Sequence, residues 1–133
     1  MNKNLSTVAI VAASSDVPLD SFTCELVHSL IAIGKTRQTE LFKKFSHFSG
    51  PTLHLTQQLI IDRFGVSAFE SINDYRLSAW LGQQEELHRI VVYQCDKQLT
   101  PWTKRSLRQA DCILVVGIGW KEPVKGSVNR FYT

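Results

Sequence analysis

Four short apolar runs set the rhythm of the chain: Thr7 to Ala13, Thr52 to Leu55, Ile90 to Tyr93 and Ile113 to Val116. The first, third and fourth are continuous rather than alternating, so they predict strands buried on two faces. Thr52 to Leu55 predicts a further short strand, after a break at Gly50-Pro51. Between the last two runs lies Pro101 to Ala110, about one helix long, with Thr100 placed to cap it and Pro101 suited to its first turn. Strand, helix and strand within this span predict a βαβ crossover, with the two strands parallel and adjacent or nearly so.

The intervening polar stretches carry helical periodicity. Ser14-Ser15-Asp16 is a polar turn, after which Pro18 opens a helix with Phe22, Leu26, Leu30 and Ile33 as its apolar stripe. Gly34 is expected to end that helix as a C′ glycine. Thr56 to Phe64 predicts a short helix ended by Gly65. Ser67 could cap a longer one whose buried side is Phe69, Ile72, Leu77, Trp80 and Leu81, with Gln83 to Glu86 as its polar exit. Lys35 to Ser49 differs in composition: it is basic, with Leu41, Phe42, Phe45 and Phe48 on an approximate helical stripe. It reads as a docked surface helix, with an amphipathic membrane-surface helix as the alternative. The order is β α (α) β α α β α β, an α/β domain with a mainly parallel sheet of about four strands and flanking helices. After Gly119 the pattern stops, at Pro123 and Gly126, where an α/β sheet would ordinarily continue; the expectation is a truncated domain.

Composition narrows the function. A chain of 133 residues is one domain by length. The net charge of +3 is spread over two segments, without the dense basic cluster of a nucleic-acid binder, so no nucleic-acid partner is expected. Cys24, Cys95 and Cys112 have no metal-ligand spacing and read as reduced structural thiols, and no metal is expected. No window approaches the ~18 apolar residues of a membrane span. Membrane contact is left to Lys35 to Ser49.

One position invites chemistry. Asp96 follows the carboxyl end of the Ile90 strand, where open α/β sheets place their ligands. As a Walker-B-like carboxylate it would need a phosphate cradle, and Ala12 to Asp20 after the first strand offers none. That loop has no glycine and no lysine, and Asp16 and Asp20 would repel phosphate. Gly34-Lys35-Thr36 imitates the end of a P-loop but follows a helix, with Ser29 where the motif needs glycine. Asp96 therefore reads as a loop-capping residue, and as no more than a weak cofactor-binding candidate. Gly117-Ile118-Gly119 is a lone GxG, and neither GxSxG nor a glycine-rich oxyanion loop is present. His28, His47, His54 and His88 have no partner at metal or triad spacing. No catalytic residue and no cofactor are expected.

The run SINDYRLSAWLGQQEELHRIVVYQCDKQLTPWTKRSLRQADCILVVGIG, Ser71 to Gly119, closely resembles the segment ahead of the patatin domain in the neuropathy target esterase and patatin-like lysophospholipase family. Thr7 to Gly34 fits the start of that segment and Pro51 to Leu55 resumes it. The resemblance implies a degenerate P-loop domain of the MinD-like type, whose phosphate-binding lysine has no counterpart here. It implies a parent enzyme hydrolysing lysophosphatidylcholine on the cytosolic face of the endoplasmic reticulum, by a serine hydrolase domain that these residues do not include. Two stretches depart from the family pattern, Lys35 to Ser49 as an insertion and the tail from residue 120 to 133. The expected division is thus a P-loop-like domain over 1–119, containing the 35–49 insertion, and an irregular tail over 120–133.

The expected function is a non-catalytic regulatory or linker domain, cytosolic in itself. Its partners would be the patatin and cyclic-nucleotide-binding domains of the parent chain. Two rivals remain: a degenerate nucleotide-binding, ATPase-like module using Asp96, and a membrane-surface module using Lys35 to Ser49.

Overall fold

A computed structural model describes residues 5–37 and 50–119. The elements are β1 (Thr7–Ala12), α1 (Leu19–Arg37), β2 (Gly50–Leu55), α2 (Gln57–Phe64), α3 (Asp74–Leu87), β3 (His88–Gln94), α4 (Pro101–Gln109) and β4 (Cys112–Val116). The four strands form one all-parallel sheet in the order β2-β3-β1-β4. The βαβ unit of β3, α4 and β4 is therefore real, but β1 lies between its two strands. The domain is α/β with flanking helices.

Strand alternation splits the core into two layers. Val8, Ile10, Ala12 and Val92 face Leu19 and Val27 of α1. Ala9, Val11, Val91 and Tyr93 face Ile60 of α2, Leu77 and Leu81 of α3, and Trp102 of α4. Every β1 residue is buried, as continuous apolar runs predict for a strand covered on both sides.

Several expectations move by a residue or an element. Helix α1 does not stop at Gly34 but continues through Arg37. A mid-helix glycine costs only about 1 kcal/mol, and Lys-Thr-Arg with no following proline lets the helix run on. Its buried stripe is Leu19, Thr23 and Val27, while Phe22 and Ile33 are exposed. Thr23 earns an apolar position because its Oγ1 donates to the Leu19 carbonyl at 2.7 Å, leaving the methyl to pack. Gly50-Pro51 begins β2 instead of breaking it, which is tolerable because β2 is bonded to β3 alone among the described residues. The helix at Ser67 starts seven residues later, after a turn and a 3₁₀ segment over Ser71–Asn73, and Ile72 is 84% exposed. Gln83 to Glu86 remain helical, and β3 starts at His88 directly after α3. Strand β4 is not buried on both faces: it ends the sheet among the described residues, and Leu114 and Val115 are exposed. The stripe of Lys35 to Ser49 beyond Arg37, and the tail from residue 120, lie outside the described residues.

Gly65 and Thr100 with Pro101 stand where the sequence puts them, while Thr56, read as the first helical residue, lies just outside the helix as its cap. Thr56 caps α2 by accepting from the Leu59 N–H, and Gly65 closes that helix at φ 90°, ψ 173°. Thr100 caps α4 by accepting from the Thr103 N–H at 3.2 Å, with Pro101 next. A Cβ at Gly65 would meet no atom within 4 Å, so the conformation and not space demands glycine. Gly65→Ala is expected to lose about 1–3 kcal/mol of stability, as a lowered urea midpoint with unchanged slope.

Candidate functional site

In a sheet of this order, the loops after β1 and β3 lie side by side at the carboxyl edge, where α/β domains take ligands. Cys95 N–H donates to the Ile10 carbonyl and Ala13 N–H to the Val116 carbonyl, so pairing persists up to the start of both loops. The site is made by Ala13 to Pro18 on one side and Gln94 to Thr100 on the other.

The β1 loop is turned in on itself. Val17 N–H donates to the Ser14 carbonyl, Leu19 N–H to the Val17 carbonyl, and Pro18 between them has no N–H. A phosphate cradle is built from successive backbone donors pointing outward at a helix start. Here those at Val17 and Leu19 are spent within the loop. Ser14 Oγ donates to Asp16 Oδ1 at 2.5 Å, and Asp20 stands in the first turn of α1, adding negative charge where phosphate would sit. Across the crevice, Lys97 Nζ donates to the Ser15 carbonyl at 2.7 Å. The cation that reaches this loop thus comes from the opposite one and ties the two loops together.

Asp96 is half-buried, and its surroundings match a capping role. Its backbone N–H donates to Thr103 Oγ1 at 2.8 Å, and its Oδ2 accepts from Thr100 Oγ1 at 2.5 Å. The loop is thereby locked onto the first turn of α4. Burial raises the Asp96 carboxyl above the usual range, and the Thr100 hydrogen bond pulls the other way. Beside it, burial and then the Asp96 charge push the Cys95 thiol up to about 12, which makes it inert packing. Cys24 is exposed on α1 and Cys112 half-buried on β4, and no His, Cys, Asp or Glu cluster fit for a metal occurs among the described residues. Gly117 to Gly119 open no helix within the described residues, and Gly34-Lys35-Thr36 lie inside α1.

Sequence reasoning missed the polar chain beside this crevice. Gln94 Nε2 donates to Asp20 Oδ1, and Gln94 Oε1 accepts from His54 Nε2 at 2.7 Å, joining α1, β3 and β2. The signal was period two: His54 is in register with Val92, so His54, Val92 and Gln94 share the face that α1 covers. The carbonyl of Gln94 accepts from the buried Trp102 indole N–H at 2.8 Å, pinning α4 to the strand end. His88 bonds the Gln84 carbonyl and His28 is exposed; His47 lies outside the described residues.

This arrangement is an α/β domain of P-loop-like layout whose phosphate position is occupied by its own side chains and backbone bonds. The chain belongs to the neuropathy target esterase family: its family model, Neuropathy Target Esterase family P-loop like domain, matches residues 4–133. The match thus spans both the 35–49 segment and the tail. The chain is 52% identical over 127 residues to mouse Patatin-like phospholipase domain-containing protein 7, covering 96% of this chain and 8% of that protein. Human Patatin-like phospholipase domain-containing protein 6 is 50% identical over the same shares. Drosophila virilis Neuropathy target esterase sws is 44% identical over 125 residues, 94% of this chain and 7% of that protein. The chain therefore spans less than a tenth of the length of these relatives. No solved structure matches it.

Two carboxylates of opposite setting give a pH test. Asp96 has a raised pKa, so its contribution favours the fold below the unfolded value of about 3.9 and is lost as pH rises through the folded value. Asp111 is the reverse: bonds from the Ser6 backbone N–H, Thr7 and the Ser6 hydroxyl hold its carboxyl below the usual range. Its stabilisation is present above about pH 3.9 and disappears as pH falls through the folded value. Heat unfolding across this pH range should show Asp96→Asn more stable than the parent at neutral pH and equal to it in acid. Asp111→Ala should be less stable at neutral pH, its deficit closing in acid.

Proposed function

We propose that this chain is a non-catalytic regulatory or linker domain of a neuropathy-target-esterase-type lysophospholipase. In this reading it packs against the patatin and cyclic-nucleotide-binding domains of the same polypeptide, on the cytosolic face of the endoplasmic reticulum, and leaves hydrolysis of lysophosphatidylcholine to the patatin domain. The observation that carries the reading is the closed crevice. Lys97 holds the Ser15 carbonyl, the Val17 and Leu19 N–H groups bond within their own loop, and Asp96 is engaged by Thr100. A domain with P-loop layout whose loop donors and nearest cation are bonded internally has its surfaces left to work with. Membership of the family supports the setting, since the named relatives are phospholipases more than ten times the length of this chain.

The test uses the mouse relative with its corresponding segment either deleted or replaced by this chain. Replacement is expected to preserve phospholipase turnover, and deletion to lower it by about tenfold, the size of an ordinary coupling between domains. Unchanged turnover on deletion refutes a regulatory role. In the isolated chain, millimolar magnesium-ATP is expected to leave the unfolding temperature unmoved. Ligand at a hundredfold excess over its Kd would add about 2.7 kcal/mol, and a shift of that size would restore the nucleotide-binding rival.

A further inference from the structure

The most exposed apolar side chains of the described residues fall in one short stretch: Val66 is 89%, Ile72 84% and Tyr75 86% exposed. Side chains of this kind seldom cluster on a free surface without a partner to cover them. Ile72, Tyr75, Arg76 and Trp80 recur at spacings of three and four along the 3₁₀ segment and α3, so they share one side of that helical run. Val66 follows the end of α2 in the adjoining turn.

A second feature is built into the same side. Phe64 and Trp80 meet edge to face at 5.5 Å between ring centroids. The Arg63 guanidinium lies 5.0 Å from the Trp80 centroid and 5.8 Å from that of Phe64, and the Arg76 guanidinium lies 5.6 Å from the Phe64 centroid. Two cations are thus held against one pair of rings. Both arginines are exposed, and neither has a carboxylate partner among the described residues. Asp74 is engaged by Arg105 and Asp62 accepts from the Gln58 amide, and among the described residues no carboxylate lies within 4 Å of either guanidinium. Stacking fixes the guanidinium planes in advance, so a bidentate acceptor would find them with little side-chain entropy left to lose.

We propose that the Arg63–Phe64–Arg76–Trp80 stack, together with Val66, Ile72 and Tyr75, is a docking surface for a protein segment that carries carboxylates beside apolar side chains. Charge complementarity selects the partner. Two unpaired, preorganised guanidiniums call for planar carboxylates, and the apolar side chains alongside call for aliphatic or aromatic residues adjacent to them. An anionic membrane fits less well, because Glu70 is exposed in the turn between Val66 and Ile72 and would face its phosphates.

The test pans a phage-displayed library of random dodecapeptides against the whole chain and against its Arg63→Gln, Arg76→Gln variant, both arginines being exposed enough for the variant to fold. Peptides carrying Asp or Glu next to apolar residues are expected to enrich on the parent and not on the variant. A synthetic copy of the best peptide should lose about tenfold or more in affinity, by fluorescence polarisation, towards the variant and towards Ile72→Ser, Tyr75→Ser. Its Asp/Glu→Asn/Gln counterpart should lose as much towards the parent. No differential enrichment, or enrichment of peptides without carboxylates, overturns the proposal. So does co-sedimentation of the parent, but not the arginine variant, with phosphatidylcholine vesicles containing phosphatidylserine, which would assign the surface to lipid.

Discussion

The whole domain depends on covering β1 and β3 from both sides at once. A parallel sheet has no wet face, so each inward position on these strands must meet an apolar partner above or below. Alternation meets that requirement: Val8, Ile10 and Val92 go to α1, while Ala9, Val11, Val91 and Tyr93 go to the three helices of the opposite layer. Everything at the carboxyl edge inherits its position from this sandwich. Trp102 is the clearest instance: its fully buried ring lies 5.6 Å from that of Tyr93 and its indole N–H is spent on the Gln94 carbonyl. Helix α4 is thereby fixed against the strand end, and with it the Asp96–Thr100–Thr103 lock.

Polar groups in this core are paired, which is why they can be there. The Tyr93 hydroxyl donates to Glu85 Oε1 at 2.8 Å, and the Gln109 amide donates to the same oxygen at 3.0 Å. Burial raises the Tyr93 pKa further, so the phenol stays neutral and structural. Arg105, close to buried on the inner side of α4, is shared between Ser78 Oγ at 3.0 Å and the Asp74 carboxylate. These bonds tie α3 and α4 across their shared layer, and no buried side-chain polar atom among the described residues is left without a partner.

The parts legible from sequence are those whose cause is local. Thr100-Pro101 and Gly65 each specify a helix end by chemistry within a few residues, and each stands at the expected helix end. Asp96 likewise stands at the carboxyl edge, where its carboxylate accepts from the Thr100 hydroxyl four residues on. What failed was set at a distance. The buried stripe of α1 follows the Val8 and Ile10 face of the sheet, and this favours Thr23 over Phe22, which no pattern within the helix could announce. The Asp20–Gln94–His54 chain joins residues up to 74 positions apart, and only strand register shows that they meet. The strand order itself, with β1 between β3 and β4, was open from sequence, and it is what exposes β4.

Closure of the phosphate position is distributed over several groups. The positive end of α1 has Asp20 in its first turn, so the helix dipole that would attract phosphate already faces a carboxylate of its own. That carboxylate is in turn held by the Gln94 amide, which is oriented by His54. The loop donors at Val17 and Leu19 are bonded internally, Pro18 offers none, and Lys97 is directed to a carbonyl. Removing any one of these leaves the others in place. The closed state is thus a property of the β1 loop, the start of α1 and the end of β3 together.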